Sequence, residues 1–505
     1  MPLTRQAVRR SMVAGCRLPV PGHFQVMSMA LEPLVGLEVH VQLSTDSKMF
    51  CACSTTFGAD PNANVCPTCL GLPGSLPVPN RTAIEYVIRT AAALKCTVAQ
   101  RCRFARKNYF YPDLPKNFQI SQYDEPLSYD GHIDLDVDGE QVRIRIRRAH
   151  LEEDTGKNLH LATGSSLVEY NRCGIPLMEV VTEPDFTTAA QCREYLTQLR
   201  LILRAIGVST ANMEEGAMRA EPTVNLRDPE TGEATPKVEI KNLNSIRAVF
   251  EAVQYEIERQ RRAVAEGRED ELFQQTRRWD ESNGVTALMR RKETSDDYMY
   301  FPEPDLVPLE PEREWVESIY TTCPELPAAR CARFCEQYEL PEYDARVLTE
   351  SRELADYFEG ACQVFEGPAK TVSNWVMGDL TSLLNEAGIE ISASPVICDR
   401  LAELLTLVEE NTISGKIAKD VLAKMFETGR RAREIIEEEG LEQISDTGEL
   451  EAIIDEVIAD NPGPAGDFRA GKDKAIGFLI GQVMKATKGQ ANPGMVNEIM
   501  RAKLG

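Results

Sequence analysis

The sequence predicts an α+β fold: an N-terminal part with a mainly antiparallel sheet, followed by all-helical regions. Three observations carry this. In residues 35–43, Val35, Leu37, Val39, Val41 and Leu43 fall on one face, and Gly36, Glu38, His40 and Gln42 on the other. That is the period of a half-buried strand. Asp130-Gly131 and Asp138-Gly139 bracket residues 132–137, and both dipeptides favour tight hairpin turns. From about Ala328 the pattern changes to helices separated by short turns.

Length and composition bound the class. A chain of 505 residues is long enough for two to four domains. Hydrophobic residues at 43% and charged residues at 27% suit a soluble globular protein. No apolar run is long enough to span a bilayer, so no membrane partner is expected. A net charge of −23 argues against a chain coated with nucleic acid but leaves room for a local basic site. Scattered cysteines such as Cys96, Cys192, Cys335 and Cys398 fit a reducing, cytoplasmic setting better than a disulfide framework. Residues 1–31 carry Arg5, Arg9, Arg10 and Arg17 and no acidic residue. They read as a transit peptide or, the favoured reading, as an extension ahead of a start at Met27 or Met29.

In the first strand Glu38 and His40 project the same way, ~7 Å apart along the chain. A carboxylate beside an imidazole suits a divalent metal or acid–base chemistry; a solvated strand face is the alternative. Cys51-Ala52-Cys53 and Cys66-Pro67-Thr68-Cys69 follow. Two close cysteine pairs with turn residues between them signal a structural zinc site, with four free thiols as the alternative. Residues 81–94 read as a helix, and residues 106–117 as an exposed loop rich in turn-forming, aromatic and basic groups. In that loop Lys107 and Lys116 suit phosphates, and the tyrosines suit stacking on a base; an ordinary surface loop is the alternative.

Val142, Ile144 and Ile146 alternate with Arg143, Arg145 and Arg147, and the strand runs into Glu152, Glu153 and Asp154. Acids at a strand end suit a divalent cation or simply solvent. Glu179 sits in a near-continuous apolar strand, where a carboxylate needs a metal or an arginine. Residues 187–207 read as a helix stopped by Gly207, and residues 214–221 as an acidic loop. A strand with Glu239 and Lys241 on its polar face leads to Ser245, which caps a long helix ending near Gly267. The tail ends in a basic group of Lys472, Lys474, Lys485, Lys488, Arg501 and Lys503, suited to the backbone of folded RNA. The expected divisions are residues 1–31, 32–322, 323–410 and 411–505.

Several motifs together resemble one family, the B subunit of the tRNA-dependent amidotransferase (GatB). They are Gly36-Leu37-Glu38-Val39-His40, the two cysteine pairs, Lys107-Asn108-Tyr109-Phe110-Tyr111-Pro112-Asp113 and Leu151-Glu152-Glu153-Asp154. Tyr170-Asn171-Arg172, Ile175-Pro176-Leu177, Lys241-Asn242-Leu243-Asn244-Ser245, Tyr300-Phe301-Pro302-Glu303-Pro304-Asp305 and Met484-Lys485-Ala486-Thr487-Lys488-Gly489 extend the match from Glu32 to Leu504. The resemblance implies a cradle-like N-terminal fold without a P-loop. It implies ATP-dependent phosphorylation of the side-chain carboxylate of Glu-tRNA(Gln) or Asp-tRNA(Asn), then amidation by ammonia. Ammonia would come from an amidase A subunit, tied to this chain by a small C subunit in a heterotrimer. Carried over residue by residue, Glu38, His40, Glu153 and Glu179 resemble the magnesium ligands, with Glu221 a further candidate. Lys107 resembles the ATP-phosphate contact, with Tyr109, Lys241 and Asn242 lining the pocket; Lys107, Glu153 and Glu179 would carry catalysis. The resemblance also places tRNA recognition in the tail. The chain departs from the family pattern at Glu221 (Asp), Thr223 (Asn), Asp296 (His) and Met299 (Arg). The competing reading is a non-catalytic, zinc-bearing, tRNA-binding scaffold, which would not need Glu38, His40, Lys107, Glu153 and Glu179 together.

Overall fold

The computed structural model describes residues 31–161, 163–291, 298–443, 447–487 and 490–505. Residues 1–30 of the expected extension over residues 1–31, together with Asp296 and Lys488, lie outside them. The chain divides into two compact units, at Pro324 and Glu325.

The first unit contains β1 (Glu32–Gln42), α1 (Arg81–Ala93), β2 (Thr97–Val98), β3 (Ala105–Asn108), β4 (Phe118–Ser121), β5 (Ser128–Val137) and β6 (Glu140–Glu153). It continues with β7 (Lys157–His160), β8 (Ser166–Glu169), β9 (Pro176–Thr182), α2 (Ala189–Ala205), β10 (Met218–Arg227), β11 (Val238–Lys241) and α3 (Ile246–Ala265). It closes with β12 (Gln275–Asp280), β13 (Val285–Arg291), β14 (Met299–Pro302) and α4 (Arg313–Thr321). Nine strands form one sheet in the order β13-β12-β11-β10-β1-β9-β6-β5-β2, antiparallel except for β11 beside β12. A three-stranded sheet, β14-β3-β4, and the hairpin β7-β8 complete the unit.

The alternation of β1 is realised. Val35, Leu37, Val39 and Val41 are buried, and α1, α2 and α3 pack on that side of the sheet. Each such apolar side chain contributes about 1.5–3 kcal/mol on burial. β9 is buried along its whole length, as its near-continuous apolar run requires of a central strand. Helix ends follow their caps. Thr188 and Gln191 form a capping box on α2, and Ser245 accepts from the Ala248 N–H at the start of α3.

Three local expectations are corrected. Residues 106–108 of the expected loop belong instead to β3, held between β4 and β14. Met218–Arg227 is strand, so Glu221 stands in β10 rather than in an acidic loop. Asp130-Gly131 is not a hairpin turn but a kink inside β5, with Asp130 at φ 55°. Gly131 is needed there for close approach, because a Cβ would lie 2.2 Å from Cys96 Sγ and 2.6 Å from the Leu94 carbonyl oxygen. Asp138-Gly139, both at positive φ, makes the β5–β6 turn as its sequence predicts.

The second unit is helical. α5 (Pro327–Gln337), α6 (Glu342–Leu348), α7 (Arg352–Val364), α8 (Ala369–Trp375), α9 (Thr381–Ala387), α10 (Cys398–Glu409), α11 (Gly415–Thr428) and α12 (Ala432–Glu439) share one apolar core. α13 (Thr447–Asp460), α14 (Pro462–Arg469), α15 (Ala475–Ala486) and α16 (Pro493–Leu504) share another. The expected division at residue 411 therefore falls inside the first core. Ile417, Val421, Met425 and Ile436 pack with Leu401 and Leu405, and the second core begins at Leu450. The turn-forming run at 411–415 is a helix–helix connection, with Asn411 at φ 57° and Ser414 capping α11.

Candidate functional site

The face of the large sheet away from the helices forms a concavity of about 580 Å³. Strand register decides what it presents. His40 on β1 is paired with Glu179 on β9, which is paired on its other side with His150 on β6. Glu38 pairs with Glu221 on β10 and with Val181 on β9. Gln42 pairs with Leu177, which pairs with Glu152. Paired residues point to the same face, so Glu38, His40, Glu179, His150, Glu152 and Glu221 all enter one wall.

Within it, ligand atoms of His40, Glu152 and Glu179 lie within 4.8 Å of one another. His40 Nε2 is 3.7 Å from both Glu152 Oε2 and Glu179 Oε2. His150 Nε2 is 3.6 Å from Glu152 Oε1 and 3.4 Å from Glu179 Oε2, and its Nδ1 is buried without a hydrogen-bond partner. Two buried carboxylates side by side repel unless a cation intervenes. Burial alone would lower the His150 imidazole, but Glu179 and Glu152 raise it. Burial opposes the charged form of Glu179 too, yet His150, His40 and Lys107 hold it well below the usual carboxylate range. Two carboxylates and an imidazole fit a divalent cation.

This corrects the carried-over ligand set at two positions, for Glu38 also stands outside the three-residue cluster. Glu153 is not in the cluster; Glu152 is. Glu153 turns to the other face of β6, where its Oε1 accepts from the Ile120 N–H at 2.9 Å and pairs with Lys116. The cause is a bulge. Between β6 and β9, Ile146 pairs with Thr182 and Arg148 with Val181, so Arg147 is an extra residue. The extra residue reverses the alternation. Ile144 and Ile146 are buried before it, and Ala149 and Leu151 after it, which sends Arg148, His150 and Glu152 into the concavity. His150 was missed in the sequence, and Glu152 was read only as one of three acids at a strand end; the two repeat the spacing of Glu38 and His40, which was the available signal.

The other predicted residues divide. Lys107 and Tyr109 line the concavity, as does Lys241. Burial would lower the Lys107 amine, but Glu152, Tyr300 and Glu179 raise it above its ordinary value. Glu38 lies in the wall outside the three-ligand cluster. Glu221 is engaged by Lys241, whose Nζ is 2.6 Å from Glu221 and 2.9 Å from Glu239. Asn242 does not line the concavity: its Nδ2 donates to the Trp279 carbonyl at 3.3 Å from a backbone at φ 65°. An aromatic wall stands over the cluster, with Tyr123 stacked on Tyr300 at 4.1 Å and Tyr109 edge-on to Tyr298 at 5.4 Å. Burial chiefly pushes the Tyr300 hydroxyl up to about 12.

On the other side of β6, Cys51, Cys53, Cys66 and Cys69 converge with sulfur atoms within 4.8 Å of one another. The Cys66 N–H donates to Cys69 Sγ at 3.1 Å, and buried Lys48 places Nζ 3.8 Å from the same sulfur. A hydrogen bond from Cys51 chiefly holds the Cys69 thiol down to about 5. Four thiolates at this spacing fit a closed tetrahedral zinc site, with Lys48 offsetting its negative charge. A cavity of about 250 Å³ adjoins the cluster, lined by Lys116, Glu153, Arg106 and Glu303 among others.

Comparison with known proteins identifies the family of the chain. Residues 33–317 match the family profile described as the GatB/GatE catalytic domain, and residues 356–504 match the GatB domain. The chain is similar to the B subunit of the aspartyl/glutamyl-tRNA(Asn/Gln) amidotransferase of Caldanaerobacter subterraneus subsp. tengcongensis, 52% identical over 94% of this chain and 100% of the relative. It is similar to the proteins of the same name from Moorella thermoacetica (53%) and Persephonella marina (49%), again over 94% of this chain and the whole relative. With its concave sheet, its acid-and-imidazole cluster and its thiol cluster lying inside the first matched region, the chain belongs to the GatB family of amidotransferase subunits.

Proposed function

We propose that this subunit uses ATP to phosphorylate the side-chain carboxylate of Glu-tRNA(Gln), Asp-tRNA(Asn) or both, and then directs ammonia onto the acyl phosphate. The observation that carries this is the convergence of His40, Glu152 and Glu179 beneath Lys107 and a tyrosine wall. A carboxylate is a poor acyl donor until a phosphate leaving group is installed, and phosphoryl transfer asks mainly for positioning and charge neutralisation. Bound magnesium supplies charge neutralisation at the phosphates and the developing leaving group. His40, Glu152 and Glu179 would hold it, with Glu38 and Glu221 within the same wall. Lys107 meets the nucleotide phosphates, and Tyr298, Tyr300 and Tyr123 offer faces on which a base can stack. Lys241, bridging Glu221 and Glu239, keeps the β10–β11 side of the wall rigid.

The same reading makes the four cysteines a structural zinc site. It assigns ammonia production to an amidase A subunit, assembly to a small C subunit and tRNA grip to the tail helices, all in the cytoplasm. The test is direct. The assembled heterotrimer, given mischarged tRNA, ATP and magnesium but no glutamine, should release ADP only when the aminoacyl-tRNA is present. Adding glutamine should yield Gln-tRNA or Asn-tRNA. ADP release that ignores the aminoacyl group would sink the reading.

A further inference from the structure

β6 carries four arginines, and three are satisfied. Arg143 Nε lies 2.6 Å from Asp134, Arg145 grips Asp185 at 2.6 and 2.8 Å, and Arg147 grips Glu183 at 2.9 Å through two nitrogens. Arg148 is different. It has no ion pair or hydrogen bond among the described residues, and its Nε is buried without an acceptor. The bulge at Arg147 is what turns Arg148 into the concavity, two positions before His150 and four before Glu152. Along a strand this places it ~7 Å from the His40–Glu179–His150 row. Of the concavity's other cations, Arg219 is committed to Asp154 at 3.0 Å and Lys241 to Glu221 and Glu239, and Arg290 is engaged as well. Lys107 shares the freedom of Arg148, resting over the Tyr298 ring at 5.1 Å.

A guanidinium with a buried unmet N–H is costly to keep. In a wall that offers carboxylates on nearly every strand, its lack of a partner among the described residues is a matter of geometry, not a shortage of acids. What completes such a group is an anion brought by a ligand, and the planar fork of arginine matches the oxygens of phosphate.

We propose that Arg148 is a catalytic residue that binds the phosphoryl group in transit from ATP to the substrate carboxylate. This rests on the function proposed above. In the step, a carboxylate oxygen of the substrate forms a bond to the γ-phosphorus. The bond from that phosphorus to the β–γ bridging oxygen breaks, and ADP leaves with the electron pair. No proton moves, and Arg148 keeps its charge, donating two N–H groups to the equatorial oxygens, where charge is spread in the transition state.

The test uses the assembled heterotrimer with Arg148→Ala and Arg148→Lys. Three quantities are read: aminoacyl-tRNA-dependent ADP release, equilibrium affinity for ATP and for ADP with magnesium, and the thermal unfolding midpoint. Arg148→Ala should lower kcat for ADP release by about 10²-fold, as loss of one preorganised donor does elsewhere. It should weaken ATP more than ADP, leave tRNA affinity unchanged and regain activity with added guanidinium. Arg148→Lys, which keeps charge but not the fork, should fall between and serves if the alanine variant unfolds. A wild-type complex that releases no ADP would overturn the proposed function. A wild-type complex that does, beside folded Arg148 variants of equal rate and equal ATP preference, would overturn the role of Arg148 alone.

Discussion

Arg106 on β3 grips Glu303, just beyond β14, through two parallel hydrogen bonds, 2.7 Å from Nε and 2.9 Å from Nη2. Glu303 is almost fully buried, and Asp305 adds a third contact at 3.3 Å. The fork fixes β14 against β3, and the next residue on β3, Lys107, alternates to the opposite side and into the concavity. Glu303→Gln keeps the shape but leaves the Arg106 guanidinium with Asp305 as its one carboxylate among the described residues. Breaking a buried pair costs about 3–5 kcal/mol, and the partly exposed arginine reduces that to ~2–3 kcal/mol here. Denaturant unfolding of the wild type and variant should show this loss. The KM for ATP should also rise, because Lys107 loses its rigid support.

Neighbouring acids on β6 should behave oppositely in the phosphoryl step. Glu152→Gln removes a cluster carboxylate and should cut aminoacyl-tRNA-dependent ADP release by about 10²-fold or more. Glu153→Gln touches only the Lys116 and Ile120 side, so ADP release should stay within about threefold of wild type on the scale of that principle. The reverse ranking would show that the register drawn across β6 and β9 is wrong.

Removing metal from the thiol cluster should loosen the first unit. Metal analysis should find about one zinc per chain, as expected of a closed four-thiolate site. Cys66→Ser or Cys69→Ser should lose it and lower the unfolding midpoint. Lys48→Met should keep the zinc but bind it more weakly, since the charge opposing the thiolates is gone. Unchanged metal content and midpoint in the cysteine variants would count against the site.

Acid should weaken one buried link of the helical unit. Burial works against the Asp344 carboxylate, but Lys370 and the Ser373 hydroxyl outweigh it and hold its pKa below the ordinary value. A depressed carboxyl contributes stability that is present above its unfolded pKa and is lost as pH falls through the folded one. Asp344→Asn should therefore be less stable than wild type at pH 7. The gap should shrink once pH drops below about 4, the ordinary aspartate range. A gap independent of pH would assign the effect to packing instead.

Where the tail is cut should matter. A chain ending at Glu410 loses Ile417, Val421, Met425 and Ile436 from the first helical core and should be destabilised; one ending at Gln443 keeps that core. Of the basic residues, Lys472, Arg501 and Lys503 are paired with Asp467, Asp473 and Asp455. Lys474 and Lys485 are exposed and have no such partner among the described residues. Replacing both by Ala should weaken tRNA binding and flatten its salt dependence by about two phosphate contacts. Equal affinities at low salt would exclude them from the RNA surface.

Much of this was legible in the residues. The alternation of β1 needed no tertiary information, because one face of a half-buried strand must be apolar. Ser245 marked its helix start for an equally local reason. The motif Leu151-Glu152-Glu153-Asp154 was recognisable, but which acid faces the cluster depends on a bulge measured against β9, which is distant in sequence. Lys107 looked like loop because Asn, Pro and Asp crowd residues 108–117; its strand exists only through pairing with β4 and β14. The helical division at 411 failed because turn residues mark connections, whereas a domain is bounded by its core.

The extra residue at Arg147 makes the chemistry of β6 a matter of counting. Deleting that one position would leave a regular strand in which Ile146 and Arg148 follow one another against Thr182 and Val181, so that His150 and Glu152 keep their β9 partners and still face the concavity. What a single-codon deletion there would disturb is the pairing with β5, where Asp130 stands between Tyr129, paired with Arg148, and Gly131, paired with Ile146. Anyone transplanting this strand into an unkinked sheet would have to drop that one residue to keep the same acid in use.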